Sequence, residues 1–159
     1  MVSPVGLFVN VMPREILETA RVLNFRTVQL HGDEPLDYLS QLPGLTIIKS
    51  IRCTNQNLSS LAQWRAAAGI LLETAGTPEA GGTGIANDWT LVETAIKSVA
   101  DLPPLIDAGG LTPENVADVV TRIRPWAVDV STGIEESPGI KSVEKMRRFA
   151  AAVRGVNPG

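Results

Sequence analysis

The chain has 159 residues, 44% hydrophobic, 19% charged and 4% aromatic, with 14 Gly and 11 Pro; this suits one domain with a sizeable core and excludes disorder. Fourteen Lys/Arg against 17 Asp/Glu leave a formal charge of -3. With no basic stripe and no long apolar run, nucleic-acid and membrane partners have no support.

One cysteine and one histidine exclude an internal disulfide and leave no metal site to expect. The opening MVSPVGLFVN lacks the basic start of a signal peptide, so a cytoplasmic protein is expected.

Short apolar runs of the kind buried on both faces of a parallel sheet fall at Val5–Val9, Thr27–Leu30, Thr46–Ile51, Gly69–Leu72, Leu105–Ile106 and Ala127–Val130. Helical signals lie between them. Pro13 opens Arg14–Leu23, where Ile16, Leu17, Ala20 and Leu23 recur at helical spacing. Pro35 opens Leu36–Leu42, Asn55 is placed to cap Gln56–Ala68, and Asp88 to cap Trp89–Val99. Thr112-Pro113-Glu114-Asn115 starts Val116–Ile123, and Ser142 caps Val143–Val153. The order is β-α six times over.

Six parallel units build either an open doubly wound sheet or part of a closed barrel. Polar and Gly-rich residues follow nearly every strand: Asn10, His31-Gly32-Asp33-Glu34, Glu73-Thr74, Asp107-Ala108-Gly109-Gly110 and Asp129-Val130-Ser131-Thr132-Gly133. Barrel enzymes keep their sites at that face, whereas an open sheet concentrates ligand groups at one switch point. An incomplete (β/α)8 TIM-barrel domain spanning residues 1–159 is therefore expected.

Gly109-Gly110 and Ser131-Thr132-Gly133 let backbone N–H groups approach an anion, and each precedes a helix whose positive end adds to the attraction. Together they predict one phosphate site, with the two bends side by side. Gly81-Gly82-Thr83-Gly84 lies in a stretch too long for a simple connection and reads as a lid, with Gly82 touching ligand. Glu73, at the mouth of an apolar strand, suits a general acid; His31 and Asp129 suit substrate contacts. Each also has a bland reading, as solvated loop carboxylate or structural histidine. Cys53 is read as a small buried residue rather than a nucleophile.

Val5-Gly6-Leu7-Phe8-Val9-Asn10, Val28-Gln29-Leu30-His31-Gly32-Asp33-Glu34, Gly81-Gly82-Thr83-Gly84 with Asp88-Trp89, Gly109-Gly110-Leu111-Thr112-Pro113-Glu114-Asn115-Val116, and Val128-Asp129-Val130-Ser131-Thr132-Gly133-Ile134-Glu135 with Pro138-Gly139 and Lys141 together resemble phosphoribosylanthranilate isomerase. Several motifs in one order make a specific signal. The resemblance implies a (β/α)8 barrel of tryptophan biosynthesis. Its reaction is the Amadori rearrangement of N-(5-phosphoribosyl)anthranilate to 1-(2-carboxyphenylamino)-1-deoxyribulose 5-phosphate, with no cofactor. It further implies Glu73 as acid, His31 and Asp129 along the substrate, and phosphate on the Gly109-Gly110 and Ser131-Thr132-Gly133 turns.

There are two departures from the family. A Lys-Ile-Cys-Gly motif carrying the general base, and a Pro-Lys-Ser-x-Arg motif whose arginine binds the anthranilate carboxylate, are absent. The resemblance begins at the family's third strand, so the expectation is a chain lacking two of eight units and nearly inactive as written. Unpaired barrel edges would then invite an oligomer or a partner chain. The acid, usually aspartate in the family, is glutamate here and reaches about 1.5 Å further. The alternatives are a non-catalytic phosphosugar-binding fragment and another phosphosugar barrel enzyme, such as an epimerase or indole-glycerol-phosphate synthase.

Overall fold

The computed structural model of the chain describes residues 2–74 and 89–156, the side chains of 55 and 74 excepted. Its frame is one sheet of six parallel strands in sequential order: β1 Val5–Phe8, β2 Thr27–Leu30, β3 Thr46–Cys53, β4 Gly69–Thr74, β5 Leu105–Ala108 and β6 Ala127–Val128. β1 and β6 form its two edges. All six expected strands are present. β3 and β4 run two residues further than their apolar cores, because their pairing continues to Arg52↔Glu73 and Cys53↔Thr74. Glu73 is thus the penultimate residue of a strand, not a loop residue. β6 is shorter than expected and leaves Asp129 just beyond its end.

Helix α1 spans Pro13–Leu23. Proline supplies the first turn, where no N–H is needed. Asn24, in the left-handed conformation, closes the helix by donating its N–H to the Ala20 carbonyl. Buried Ile16 sets the helix on Val28, Leu30 and Ile47, and Ala20, four residues on, is buried as well. α2 is a single turn, Tyr38–Gln41. The expected helix over Gln56–Ala68 breaks up into α3, Asn55–Leu58, and a 3-10 turn at Leu61–Trp64. Its cap is Thr54, whose hydroxyl accepts from Asn57 N–H at 3.2 Å, rather than Asn55. The break has a physical cause: Ser59 and Ser60 hydroxyls bond back to the Gln56 and Asn57 carbonyls at 2.6 and 2.7 Å, competing with a continued helix.

α4 (Trp89–Ser98), α5 (Val116–Ile123) and α6 (Val143–Gly155) fall where expected. Ser142 caps α6, accepting from Lys145 N–H at 3.4 Å. A hairpin of β7 (Glu135–Ser137) and β8 (Ile140–Lys141), turning at Gly139, was not foreseen.

Strand alternation divides the sheet into two faces. Ile51, Ile70 and Leu72 point to the helix layer and join Trp89, Val92, Val116, Val119 and Phe149 in one core. The opposite, inner face carries Gln29, Ser50, Leu71 and Glu73. On the edge strand β1 that face is open, with Leu7 58% exposed. No helix among the described residues is long and apolar enough to cross a membrane.

Candidate active site

At the C-terminal ends of β1, β2 and β3, one buried ion pair organises the backbone. Lys49, on β3, reaches Glu34 with its Nζ 2.7 Å from Oε2, and both residues are only 4% exposed. The same ammonium donates to the Leu30 and Gly32 carbonyls and lies 5.4 Å from the Trp64 ring centroid. The Glu34 carboxylate accepts the N–H of Asn10 and of Gly32 at 2.9 Å each. Burial pushes the Glu34 carboxyl up, but Lys49 and the N–H donors outweigh it and hold it below its ordinary value. A side chain at 32 would run into Asn10, which in turn accepts Asp33 N–H at 2.8 Å. The sequence His31-Gly32-Asp33-Glu34 is thereby clamped between β1 and β3.

The clamp presents His31. Its Nδ1 lies 2.9 Å from Gln29 Nε2 and 2.8 Å from Ser50 Oγ. An amide donor facing Nδ1 makes that atom the acceptor and leaves the proton on Nε2. Nε2 is 3.2 Å from Glu73 Oε2. Side chains from β2, β3 and β4 thus converge on one proton at the mouth of the sheet. His31, Ser50 and Glu73 line a cavity of about 410 Å³ that also takes in Arg52, Asn57 and Trp64.

The second cluster lies after β5 and β6. Gly109 and Gly110 have φ of 84° and 65°, conformations that glycine adopts without strain. Asn115 fixes this bend: its Oδ1 accepts Thr112 N–H at 2.8 Å and its Nδ2 donates to the Gly110 carbonyl at 2.9 Å. Gly133 sits so close to the Leu111 carbonyl that a Cβ has no space. The two bends are therefore adjacent at one end of the sheet, as expected. Lys141, on β8, donates to the Ser131 carbonyl at 2.9 Å and pairs with Glu135 at 2.7 Å, anchoring the second bend from the unforeseen hairpin. Gly133→Ala should push the bends apart and lower the melting temperature by several degrees; an unchanged melting curve would argue against the close approach.

His31 and Glu73 touch; Asp129 does not line their cavity. It is exposed beyond β6, where its N–H donates to the Asp107 carbonyl at 2.8 Å. Alternation puts it on the inner face, beside the Ser131-Thr132-Gly133 bend. Gly82 and the rest of the Gly81–Gly84 motif lie outside the described residues. Asp107, read from sequence as part of the polar mouth, is instead within β5, 1% exposed and turned to the helix layer. Its register partners Leu72 and Val128 share that face. Cys53 is half-buried; burial, with the Asp107 and Glu73 carboxylates, pushes its thiol up to about 12, so it stays protonated at neutral pH and is no base. Among the described residues no group of His, Cys, Asp and Glu could hold a metal.

The sequence model of the family described as N-(5'phosphoribosyl)anthranilate (PRA) isomerase matches residues 2–152. The chain belongs to the phosphoribosylanthranilate isomerase family. It is 40% identical to the N-(5'-phosphoribosyl)anthranilate isomerase of Symbiobacterium thermophilum, over 96% of this chain and 75% of that one. The phosphoribosyl anthranilate isomerase of Thermotoga maritima superposes with a TM-score of 0.84 at 35% identity, covering 97% of this chain and 74% of that one. A family structure in complex with reduced 1-(o-carboxyphenylamino)-1-deoxyribulose 5-phosphate superposes at 0.80 with 32% identity, covering 97% and 72%. The fold is thus that of the family's TIM-barrel-like structures, and the chain is an isomerase of amino-acid biosynthesis by kinship.

Proposed function

We propose that this site performs the Amadori rearrangement of N-(5-phosphoribosyl)anthranilate with Glu73 as its general acid. The carrying observation is the His31–Glu73 contact of 3.2 Å on the same end of the sheet as the paired glycine bends. Adjacent strands lie about 4.8 Å apart. The acid on β4 is then roughly 10 Å from the bend after β6, a separation that suits a ribose with its phosphate at one end and its reacting carbon at the other.

The phosphate rests on the N–H groups of the Gly109-Gly110 and Ser131-Thr132-Gly133 bends, and Asp129 lines the ribose between. Glu73 gives its proton to the ribose ring oxygen, the C1–O bond breaks, and the nitrogen lone pair forms the protonated imine. A base then removes the C2 proton; the C2 electrons form the enolamine, which takes a proton at C1 and loses its enol proton to become the ketone. The imine is itself the electron sink, so the chemistry asks for no cofactor. His31 holds the Glu73 carboxyl through Nε2.

The base is the one role without an occupant. Cys53 retains its proton, and the base-bearing motif that the family resemblance implies is not among these 159 residues. We infer that the six units correspond to six of the family's eight, and that these residues alone bind phosphorylated substrate but turn it over slowly. The β1 and β6 edges are where two further units, or a second chain, would pair. Fusing the first two βα units of a relative ahead of residue 2 should raise the rate in an anthranilate-fluorescence assay by about 10²- to 10⁴-fold. In that fusion, Glu73→Gln should lose about a hundredfold or more in kcat. Equal rates with and without the added units would refute the missing base, and a fully active Glu73→Gln would refute the acid.

A further inference from the structure

The isomerase reading gives Glu73 one proton to deliver, and the side chains behind His31 govern where that proton goes. Gln29, on β2, and His31, just past its end, are two residues apart and so share the inner face. His31 N–H donates to the Phe8 carbonyl at 2.8 Å, which holds the ring's backbone to β1. Ser50, on β3, stands one level above the Leu30↔Lys49 pairing and meets His31 there. The Gln29 amide nitrogen is 2.9 Å from His31 Nδ1 and 3.2 Å from Ser50 Oγ, and Ser50 Oγ is 2.8 Å from the same Nδ1. These three atoms close a triangle behind the ring, while Glu73 Oε2 stands in front of it at Nε2. Of the charged side chains lining the cavity, Lys49 and Glu34 satisfy one another, and it is Glu73 that meets the ring.

The two polar neighbours of Nδ1 are not equivalent. A serine hydroxyl donates or accepts, so Ser50 suits a proton on either ring nitrogen. An amide nitrogen only donates. Its two hydrogens serve Nδ1 and Ser50 Oγ, and a proton on Nδ1 would be driven against the first of them. We propose that Gln29 is a positioning residue of this site: it fixes His31 as the Nε2–H tautomer and, through that N–H, keeps the Glu73 proton for the substrate. The proposal rests on the isomerase reading and deepens it. With Nε2 protonated, the ring donates to Glu73 Oε2 and leaves Oε1 to carry the acid proton. When that O–H bond breaks and the proton passes to the ribose ring oxygen, the Nε2–H stabilises the carboxylate left behind. With the proton on Nδ1 instead, bare Nε2 would accept the Glu73 O–H, and the acid proton would lie against the ring, turned from the substrate.

The test uses the 159-residue chain, whose single histidine makes the imidazole resonances unambiguous. Nitrogen-15 NMR of the neutral ring should show Nε2 protonated and Nδ1 bare, and a wild-type ring protonated on Nδ1 overturns the proposal without any variant. Gln29→Met should erase the preference, bringing the two nitrogen shifts towards their common average. Gln29→Glu, which replaces the donor with an acceptor, should put a proton on Nδ1. Ser50→Ala should leave the tautomer as it is, because the amide remains. Glu73→Gln should also keep it, but should move the Nε2–H proton upfield as a carboxylate acceptor gives way to an amide oxygen. If Gln29→Met or Ser50→Ala behaves otherwise, Gln29 is not what sets the ring; if the Nε2–H proton ignores Glu73→Gln, the ring does not act on the acid. Either result overturns the role of Gln29 and leaves the isomerase reading standing. A fully active Glu73→Gln in the fused enzyme, by contrast, removes the acid itself and this role with it, whatever the tautomer.

Discussion

Asp107→Leu should stabilise the protein by several kcal/mol at neutral pH. Asp107 is 1% exposed within β5, and neither of its carboxyl oxygens has a hydrogen-bond partner. Burial pushes its pKa up from 3.8 to about 8. In the unfolded chain the group ionises freely above its ordinary value, whereas in the folded protein it must hold its proton. Between those two values the native state binds the extra proton, so stability falls as pH rises, by about 1.4 kcal/mol per pH unit. At pH 7 the accumulated cost is on the order of 4 kcal/mol. Leucine removes the titrating group and adds apolar volume beside Leu72 and Val128, its neighbours in register. Urea denaturation at pH 5 and pH 8 checks this: wild-type stability should drop across the interval and the variant's should stay nearly flat. A wild-type profile without that decline would show that the carboxyl is not held neutral.

The opposite sign is expected at the other buried charge. Lys49→Met should destabilise the protein by about 3–5 kcal/mol, because removing one partner of a buried pair strands the other. The Glu34 carboxylate would keep its two N–H donors from Asn10 and Gly32 but lose the ammonium. Glu34 has its pKa lowered from 4.5 in the folded protein. The pair's contribution is therefore fully present above 4.5 and is lost as pH falls through the lowered folded value. The gap between wild type and Lys49→Met should accordingly narrow in acid. Combining Lys49→Met with Glu34→Gln should cost less than the sum of the two single changes, since each alone leaves the other group unmatched. Additive losses in denaturation midpoints would mean that the two residues do not act as a pair. Because the pair clamps the His31 segment, Lys49→Met should also weaken binding of the reduced product analogue.

The parallel strands could be read from the sequence because strands covered on both sides are continuous apolar runs, and α1 because Pro13 and Asn24 bracket it. The glycine bends were equally plain, since positive φ at Gly109 and Gly110 needs that residue type. What escaped was anything decided by which face a side chain takes. Asp107 follows an apolar dipeptide as Glu73 follows Ile70-Leu71-Leu72, yet register turns Asp107 outward into the helix layer and Glu73 inward to His31. The Lys49–Glu34 pair joins residues 15 apart across two elements, and no local pattern announces it. Arg52 falls just past the expected strand Thr46–Ile51, and only its pairing puts it level with Glu73. The serines at 59 and 60 fall inside the expected helix Gln56–Ala68, and their hydroxyls break it.

The sequential order of the sheet has a consequence for how the molecule acquires its shape. Each strand lies against the one made just before it, from β1 through β6. Strand pairing thus joins only neighbouring units, so each closure spans one βα connection rather than a large part of the chain. Such a chain can consolidate in step with its own synthesis, each newly emerged unit docking on a template already in place. Glu73 on β4 can then be aligned with His31 before the glycine bends after β5 and β6 are made.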